Sequence, residues 1–332
     1  MTDIIALGNL APSTQTALPR RDWLKAAGLA LACAPFLGCP TMAATVDAEK
    51  AKRNLKLGIM SNVYGGLPLK EAVRRIKADG FVNVITDYTF ADVRFDMANP
   101  DWDAAKKIIE AFDRQGIQIA AIYGYYNVVS PNPAVRKQGE QRMEFFITHW
   151  KRLGCPVIST ETGTFNPQSE WLISPKNGTE EAYVECRNVL ERLARAAEKT
   201  SAVITIEPYW QNVIDSIDRT ERLFREVNSP ALKLVMDPCN YFRKEDLSRM
   251  QPLLEEMFKR LGDRIVVAHA KDVKAANTGT DLPSAGRGIL DYPLYLRLLA
   301  RLDRDIPLVI EHLELDDVAR SRDFVLGQLG KI

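Results

Sequence analysis

The stretch IVVAHAKD, residues 265–272, decides the fold. An apolar run suited to burial on both faces ends abruptly in His269, Lys271 and Asp272. Strands buried on both faces belong to parallel sheets covered by helices. In such sheets the chemistry gathers beyond the C-terminal strand ends. The chain holds three histidines in all, so His269 is a scarce residue in an unusual place.

Seven further stretches share this character: LKLGIMS (55–61), VNVITDY (82–88), IQIAAIYGY (117–125), VISTETG (157–163), AVITIEPY (202–209), LKLVMDPC (232–239) and PLVIEHLE (307–314). Between them, LKEAVRRIKADG, WDAAKKIIEAFDRQG, VECRNVLERLARAAEK, TERLFREV and YPLYLRLLARLD place apolar residues at helical spacing, with Gly80, Gly116, Gly154 or Gly262 near several ends. Eight strand–helix units in about 280 residues predict an α/β protein built as one (β/α)₈ barrel over 55–332. No GxGxxG follows the first strand and no GxxxxGK[ST] occurs, so dinucleotide and nucleoside-triphosphate sites lack their signatures. The long insert FNPQSEWLISPKNGTEEAY (165–183) reads as an active-site loop, since these barrels build function from their βα loops.

Lys plus Arg number 44 against 43 Asp plus Glu, which gives no basis for a nucleic-acid or anionic-membrane partner. Residues 1–44 read as an export leader. Arg20-Arg21 precede Trp23-Leu24-Lys25, then the apolar run AAGLALACAPFLG and small residues up to Ala44, in the order of a twin-arginine signal. That run is too short to span a bilayer, which needs roughly 20 residues. The expected location is therefore the periplasm, as a soluble product or, through Phe36-Leu37-Gly38-Cys39, as a lipoprotein acylated at Cys39. A charged linker covers 45–54. Beyond the leader, Cys155, Cys186 and Cys239 are odd in number and lack metal-type spacing, so no disulfide framework is expected.

In a (β/α)₈ barrel the C-terminal strand ends open on one mouth, so Glu207, Asp237, His269 and Glu311, each ending an apolar run, are expected to converge there. Three acids and an imidazole at one point require a counter-charge, and a divalent metal supplies it. Oxygen-rich ligation with one histidine suits Mn²⁺ first, with Mg²⁺, Co²⁺ and Zn²⁺ as alternatives.

The sequence resembles the xylose isomerase-like (β/α)₈ superfamily, specifically its sugar phosphate isomerase/epimerase proteins. The resemblance rests on the Glu, Asp, His, Glu order at the last four strands, on the HxKD form of 269–272, on GRGILDYPLYLRLL and on STETGT. It implies a divalent cation held by Glu207, Asp237, His269 and Glu311, with Glu207 and Glu311 as the acid/base pair. It further implies a sugar isomerase or epimerase that abstracts a proton next to a carbonyl and passes through an enediolate. Where ketose 3-epimerases carry a histidine and an arginine, this chain has Asn240 and Ala275.

Glu161, Asn240, Lys271, Tyr125 and Arg287 are the expected substrate-binding residues, with Lys271 facing either a substrate oxyanion or Asp272. Tyr64, Tyr88 and Tyr123 are further candidates for a sugar pocket. His312, next in chain to a ligand, is expected to point away from it, and His149 to be structural. The partner is a small sugar or keto-sugar, and barrels of this kind often form homo-oligomers. Three other functions fit less closely: a 3-keto-glycoside lyase or hydrolase-type enzyme on the same metal site, a metal-dependent phosphodiesterase, and a non-catalytic sugar-binding barrel.

Overall fold

The computed structural model describes Glu49 and residues 51–332, so the leader read over 1–44 lies outside the described residues. Residues 51–54, at the end of the expected linker, are helical, and Ala51 and Asn54 are buried. Eight strands follow: β1 (Leu55–Met60), β2 (Asn83–Thr86), β3 (Gln118–Tyr123), β4 (Val157–Glu161), β5 (Val203–Glu207), β6 (Leu232–Met236), β7 (Ile265–Ala270) and β8 (Ile306–Ile310). All pair in parallel and close into a barrel in the ring order β1-β8-β7-β6-β5-β4-β3-β2. The predicted (β/α)₈ barrel is thus the observed fold.

Eight helices separate and follow the strands: α1 (Leu69–Ala78), α2 (Trp102–Arg114), α3 (Pro133–Leu153), α4 (Glu180–Thr200), α5 (Ile217–Val227), α6 (Met250–Leu261), α7 (Tyr292–Arg301) and α8 (Val318–Leu329). Local chemistry sets their starts. Asp101, Asn132, Thr179, Ser216 and Asp291 each accept a backbone N–H of the first turn through a side-chain oxygen. The helices α4 and α5 therefore begin earlier than their apolar periodicity suggests, at the cap. No described helix is long and apolar enough to cross a membrane.

Two cores result. The larger fills the space between sheet and helices. The smaller lies inside the ring, where Met60, Ile85, Ala121, Val235, Val267 and Val309 meet. At β4 and β5 the interior turns polar, and Ser159 and Thr205 hydroxyls lie 2.7 Å apart. Since side chains alternate along a strand, the residue two positions after each interior residue also points into the ring, one layer nearer the mouth. That layer contains Glu161, Glu207, Asp237, His269 and Glu311. The parity of Val267, His269 and Lys271 explains why the seventh strand ends in ionisable residues: its inward face passes from barrel core to mouth.

The predicted strands overrun the observed ones at their C-terminal ends. Asp237 and Glu311 lie just past β6 and β8, and Asp237 caps a short 3-10 helix by accepting from the Cys239 N–H. Backbone that turns outward to hold a site leaves the sheet early, although the sequence there still has a strand composition.

Candidate metal centre

Glu207, Asp237, His269 and Glu311 are all buried and place ligand-type atoms within 4.8 Å of one another. They are the one such convergence of three or more His, Cys, Asp or Glu side chains among the described residues. The His269 Nδ1 lies 3.2 Å from Glu311 Oε2, 3.4 Å from Glu207 Oε1 and 3.8 Å from Asp237 Oδ2. Neither ring nitrogen of His269 has a hydrogen-bond partner, and Asp237 Oδ2 has none of proper geometry. Buried polar atoms are rarely left so. One nitrogen and three carboxylates, preassembled and incompletely satisfied, fit a divalent cation.

Lys271 supplies a second cation. Its Nζ donates to Glu311 Oε1 at 2.8 Å, stands 2.7 Å from Asp237 Oδ2 as an ion pair, and is 3.9 Å from Glu207 Oε1. Burial alone would push His269 and Lys271 down, but the surrounding carboxylates outweigh it and hold both well above their ordinary ranges. Burial would likewise raise Glu207 and Glu311, but His269 and Lys271 hold both below the usual carboxylate range. The expected alternative pairing of Lys271 with Asp272 does not occur. The Asp272 carboxylate instead accepts from the N–H groups of Val273 and Leu290 at 2.9 Å and of Gly286 at 3.0 Å.

That carboxylate organises the GRG loop. A Cβ at position 288 would come within 2.4 Å of Asp272 Oδ1, so Gly288 is required there, and Gly286 takes φ +82°. The following DYPLY segment secures the strands. Tyr292 donates its hydroxyl to the Lys271 carbonyl at 2.8 Å, and Tyr295 donates to the His269 carbonyl at 2.8 Å.

Glu207 is fixed on both oxygens. The Tyr125 hydroxyl donates to Oε2 at 2.5 Å and Asn240 Nδ2 donates to Oε1 at 2.7 Å. Arg142, itself largely buried, donates to the Tyr125 carbonyl and so positions that tyrosine. Glu161 pairs in register with Glu207 across β4 and β5 and is 4% exposed. Burial, helped by the charges of Glu170 and Glu207, pushes its carboxyl up to about 8.

A cavity of about 920 Å³ opens over the centre, and Glu161, Asn240, Lys271, Tyr125 and Arg287 all line it. Arg287 stands on the rim, half-exposed, and donates to Asp317 at 2.8 Å. Of the three further tyrosines expected in the pocket, only Tyr123 reaches the cavity. Tyr64 and Tyr88 turn into the core, donating to Asp79 and to the Leu153 carbonyl. His312 also departs from expectation. With φ +57° it leaves strand alternation, donates to or accepts from Leu282 O at 2.7 Å through Nδ1, and lines the cavity 3.8 Å from Glu311. His149 packs against Trp102 and Phe145, the structural role expected of it.

Sequence reasoning did not single out Tyr209, Asn212 or Trp171, which also line the cavity, although Trp171 lies in the 165–183 insert read as an active-site loop. The first two follow Glu207 in EPYWQN, so their place after a ligand-bearing strand was the available signal. Asn212 is 1% exposed, yet neither its Nδ2 nor its Oδ1 has a partner.

A family model described as xylose isomerase-like TIM barrel matches residues 69–325, and the chain belongs to that family. A xylose isomerase domain protein from Planctomyces limnophilus shares the fold at TM-score 0.62 and 20% identity, covering 84% of this chain and 97% of its own. A xylose isomerase-like TIM barrel protein from Mycobacterium smegmatis, in complex with magnesium, aligns at TM-score 0.62 and 16% identity over 84% and 97% of the two chains. The apo 3-keto-D-glucoside 4-epimerase of E. coli aligns at TM-score 0.61 and 16% identity over 84% and 100%. No curated protein matches the sequence.

Proposed function

We propose that the protein is a divalent-metal-dependent isomerase or epimerase of a carbohydrate, working by proton abstraction next to a carbonyl. The observation that carries this is the buried quartet of Glu207, Asp237, His269 and Glu311, whose ligand-type atoms converge and whose imidazole has no hydrogen-bond partner. These four residues would hold the ion, with Mn²⁺ the expected occupant. When bound, it supplies Lewis-acid polarisation of the substrate carbonyl, which acidifies the neighbouring C–H.

The chain's own groups supply the rest. Glu207 and Glu311 come from β5 and the end of β8, on different arcs of the ring, and so can address a carbon from two sides, one removing a proton and the other returning it. Tyr125 and Asn240 hold the Glu207 carboxylate in one orientation, which keeps its reach fixed. The Lys271 ammonium offers a donor to a substrate oxygen that gains negative charge as the enediolate forms. Glu161 keeps its proton at neutral pH and can donate it to a substrate oxygen.

The 3-keto-glycoside lyase reading shares the same first step and differs only in the fate of the carbanion. The 3-keto-D-glucoside 4-epimerase among the fold's neighbours is named for a 3-keto-glucoside, which supports that substrate class for either fate of the carbanion. An exported, periplasmic location, read from Arg20-Arg21, is part of the same proposal and argues for an unphosphorylated substrate.

Incubation of metal-loaded protein with candidate ketoses and 3-keto-glycosides in D₂O tests the chemistry. Deuterium should enter at the carbon beside the carbonyl. Glu207→Gln or Glu311→Gln should slow its entry by about 10²-fold or more. Exchange at the native rate in both variants would remove the assigned roles.

A further inference from the structure

The cavity is built in two zones, and the proposed reaction uses only one of them. Its floor is charged: Glu207, Lys271 and Glu311 lie there with the metal ligands. Its outer wall is mixed: Trp171 on the loop after β4 and Leu282 and Leu313 on the loops after β7 and β8 stand among Asp281, Arg287, Glu314 and Asp317. The loops after β4 and β8 leave strands on opposite sides of the ring. At about 920 Å³ the space sits near the upper end of the roughly 300–1,000 Å³ typical of small-molecule sites, more than one sugar ring fills.

The indole on this wall is held in place. Trp171, Leu172 and Ile173 are 54%, 47% and 49% exposed, three consecutive members of a small set of exposed large apolar residues that also includes Val135, Ile289 and Leu326. Their backbone is nevertheless tied down. Leu172 O accepts from Thr164 Oγ1 at 2.9 Å, Ile173 O accepts from Asn166 Nδ2 at 2.9 Å, and Ile173 N–H donates to Gln211 Oε1 at 3.1 Å. Gln211 Nε2 in turn donates to the hydroxyl of Tyr209 on the cavity wall at 2.8 Å. Ordering exposed apolar side chains in advance lowers the entropy cost of seating a ligand on them.

We infer that the substrate is a two-part molecule, a sugar whose reacting carbon lies on the charged floor and which carries a flat apolar or aromatic group, through a glycosidic bond, against Trp171. This rests on the floor acting on a carbohydrate carbonyl, as proposed above, and it makes Trp171 a specificity residue. A single sugar ring on the floor would leave the half-exposed indole facing water.

The test is calorimetric titration of the Mn²⁺-supplied full chain with phenyl β-D-glucopyranoside and with methyl β-D-glucopyranoside. Neither carries a carbonyl, so neither reacts. The phenyl glycoside should bind about tenfold more tightly, and Trp171→Ala should abolish that preference. Equal affinities, no binding of the phenyl glycoside, or a preference that survives Trp171→Ala overturns the inference. So does a wild-type dimer that Trp171→Ala converts to monomer, because the indole then belongs to an interface between two copies. The two proposals fail separately. Deuterium exchange with equal glycoside affinities removes only the two-part substrate, and a phenyl preference without exchange removes only the chemistry.

Discussion

The Lys271 ammonium faces three carboxylates. They are the same ones that would hold the metal, so in the metal-free protein the ammonium replaces part of the missing charge. Removing one partner of a buried ionic cluster leaves the others uncompensated, typically at about 3–5 kcal/mol. Lys271→Met should therefore destabilise the chelator-treated protein by that order in urea unfolding, and Mn²⁺ should restore more stability to the variant than to wild type. Equal metal-dependent stabilisation in both would show that Lys271 and the ion do not share those carboxylates. Glu161 gives a pH signature. Its carboxyl titrates near 4.5 when unfolded and at about 8 in the fold, so between these values the native state binds the extra proton. Its contribution to stability is then fully present at low pH and is lost as pH rises from about 4.5 to about 8. Glu161→Gln should flatten that decline in stability measured across the window, and an unchanged pH profile would place the proton elsewhere. Asn212 lacks any partner for its buried amide, so Asn212→Leu should stabilise the protein in urea unfolding. A loss of stability would mean the amide has a structural role.

At the level of elements, β7 and the GRG loop behave as one device. His269 and Lys271 point inward from the strand, Asp272 gathers three N–H groups of the following loop, and Tyr292 and Tyr295 of α7 return to the strand's carbonyls. Replacing Asp272 with alanine strands those three donors and should cost roughly 3 kcal/mol, since hydrogen bonds to charged groups are the stronger kind. Loss of metal affinity should accompany it, because the loop that braces His269 and Lys271 loosens. Unchanged metal binding in Asp272→Ala would uncouple the loop from the centre. All eight strands could be read from the sequence because short β-rich runs, four to six residues in the structure, alternate with stretches of helical periodicity. Their ends were less legible. Asp237, Glu311 and His312 lie in backbone that turns away to build the mouth, where composition still resembles a strand. The helices α3, α6 and α8 are not among the stretches read from periodicity, although each buries an apolar face.

At the level of the whole molecule, barrel closure is what makes four residues spread over 207–311 into one centre. The quartet was legible because strand parity and the common mouth fix where such residues must meet. Long-range partners were not. Which tyrosines face the cavity, and that Trp171 returns to its rim, depend on loop paths through Thr164, Asn166 and Gln211 that no local pattern encodes. Since the apolar cores surround the centre independently of it, chelation should leave the barrel folded, with far-ultraviolet circular dichroism unchanged. The most direct measurement is titration of the purified chain with Mn²⁺, followed by calorimetry, in wild type and in the near-isosteric Asp237→Asn. One ion per wild-type chain, with affinity reduced by tenfold or more in the variant, is expected. No binding in wild type, or identical affinity and stoichiometry in the two proteins, would contradict a metal held by Glu207, Asp237, His269 and Glu311.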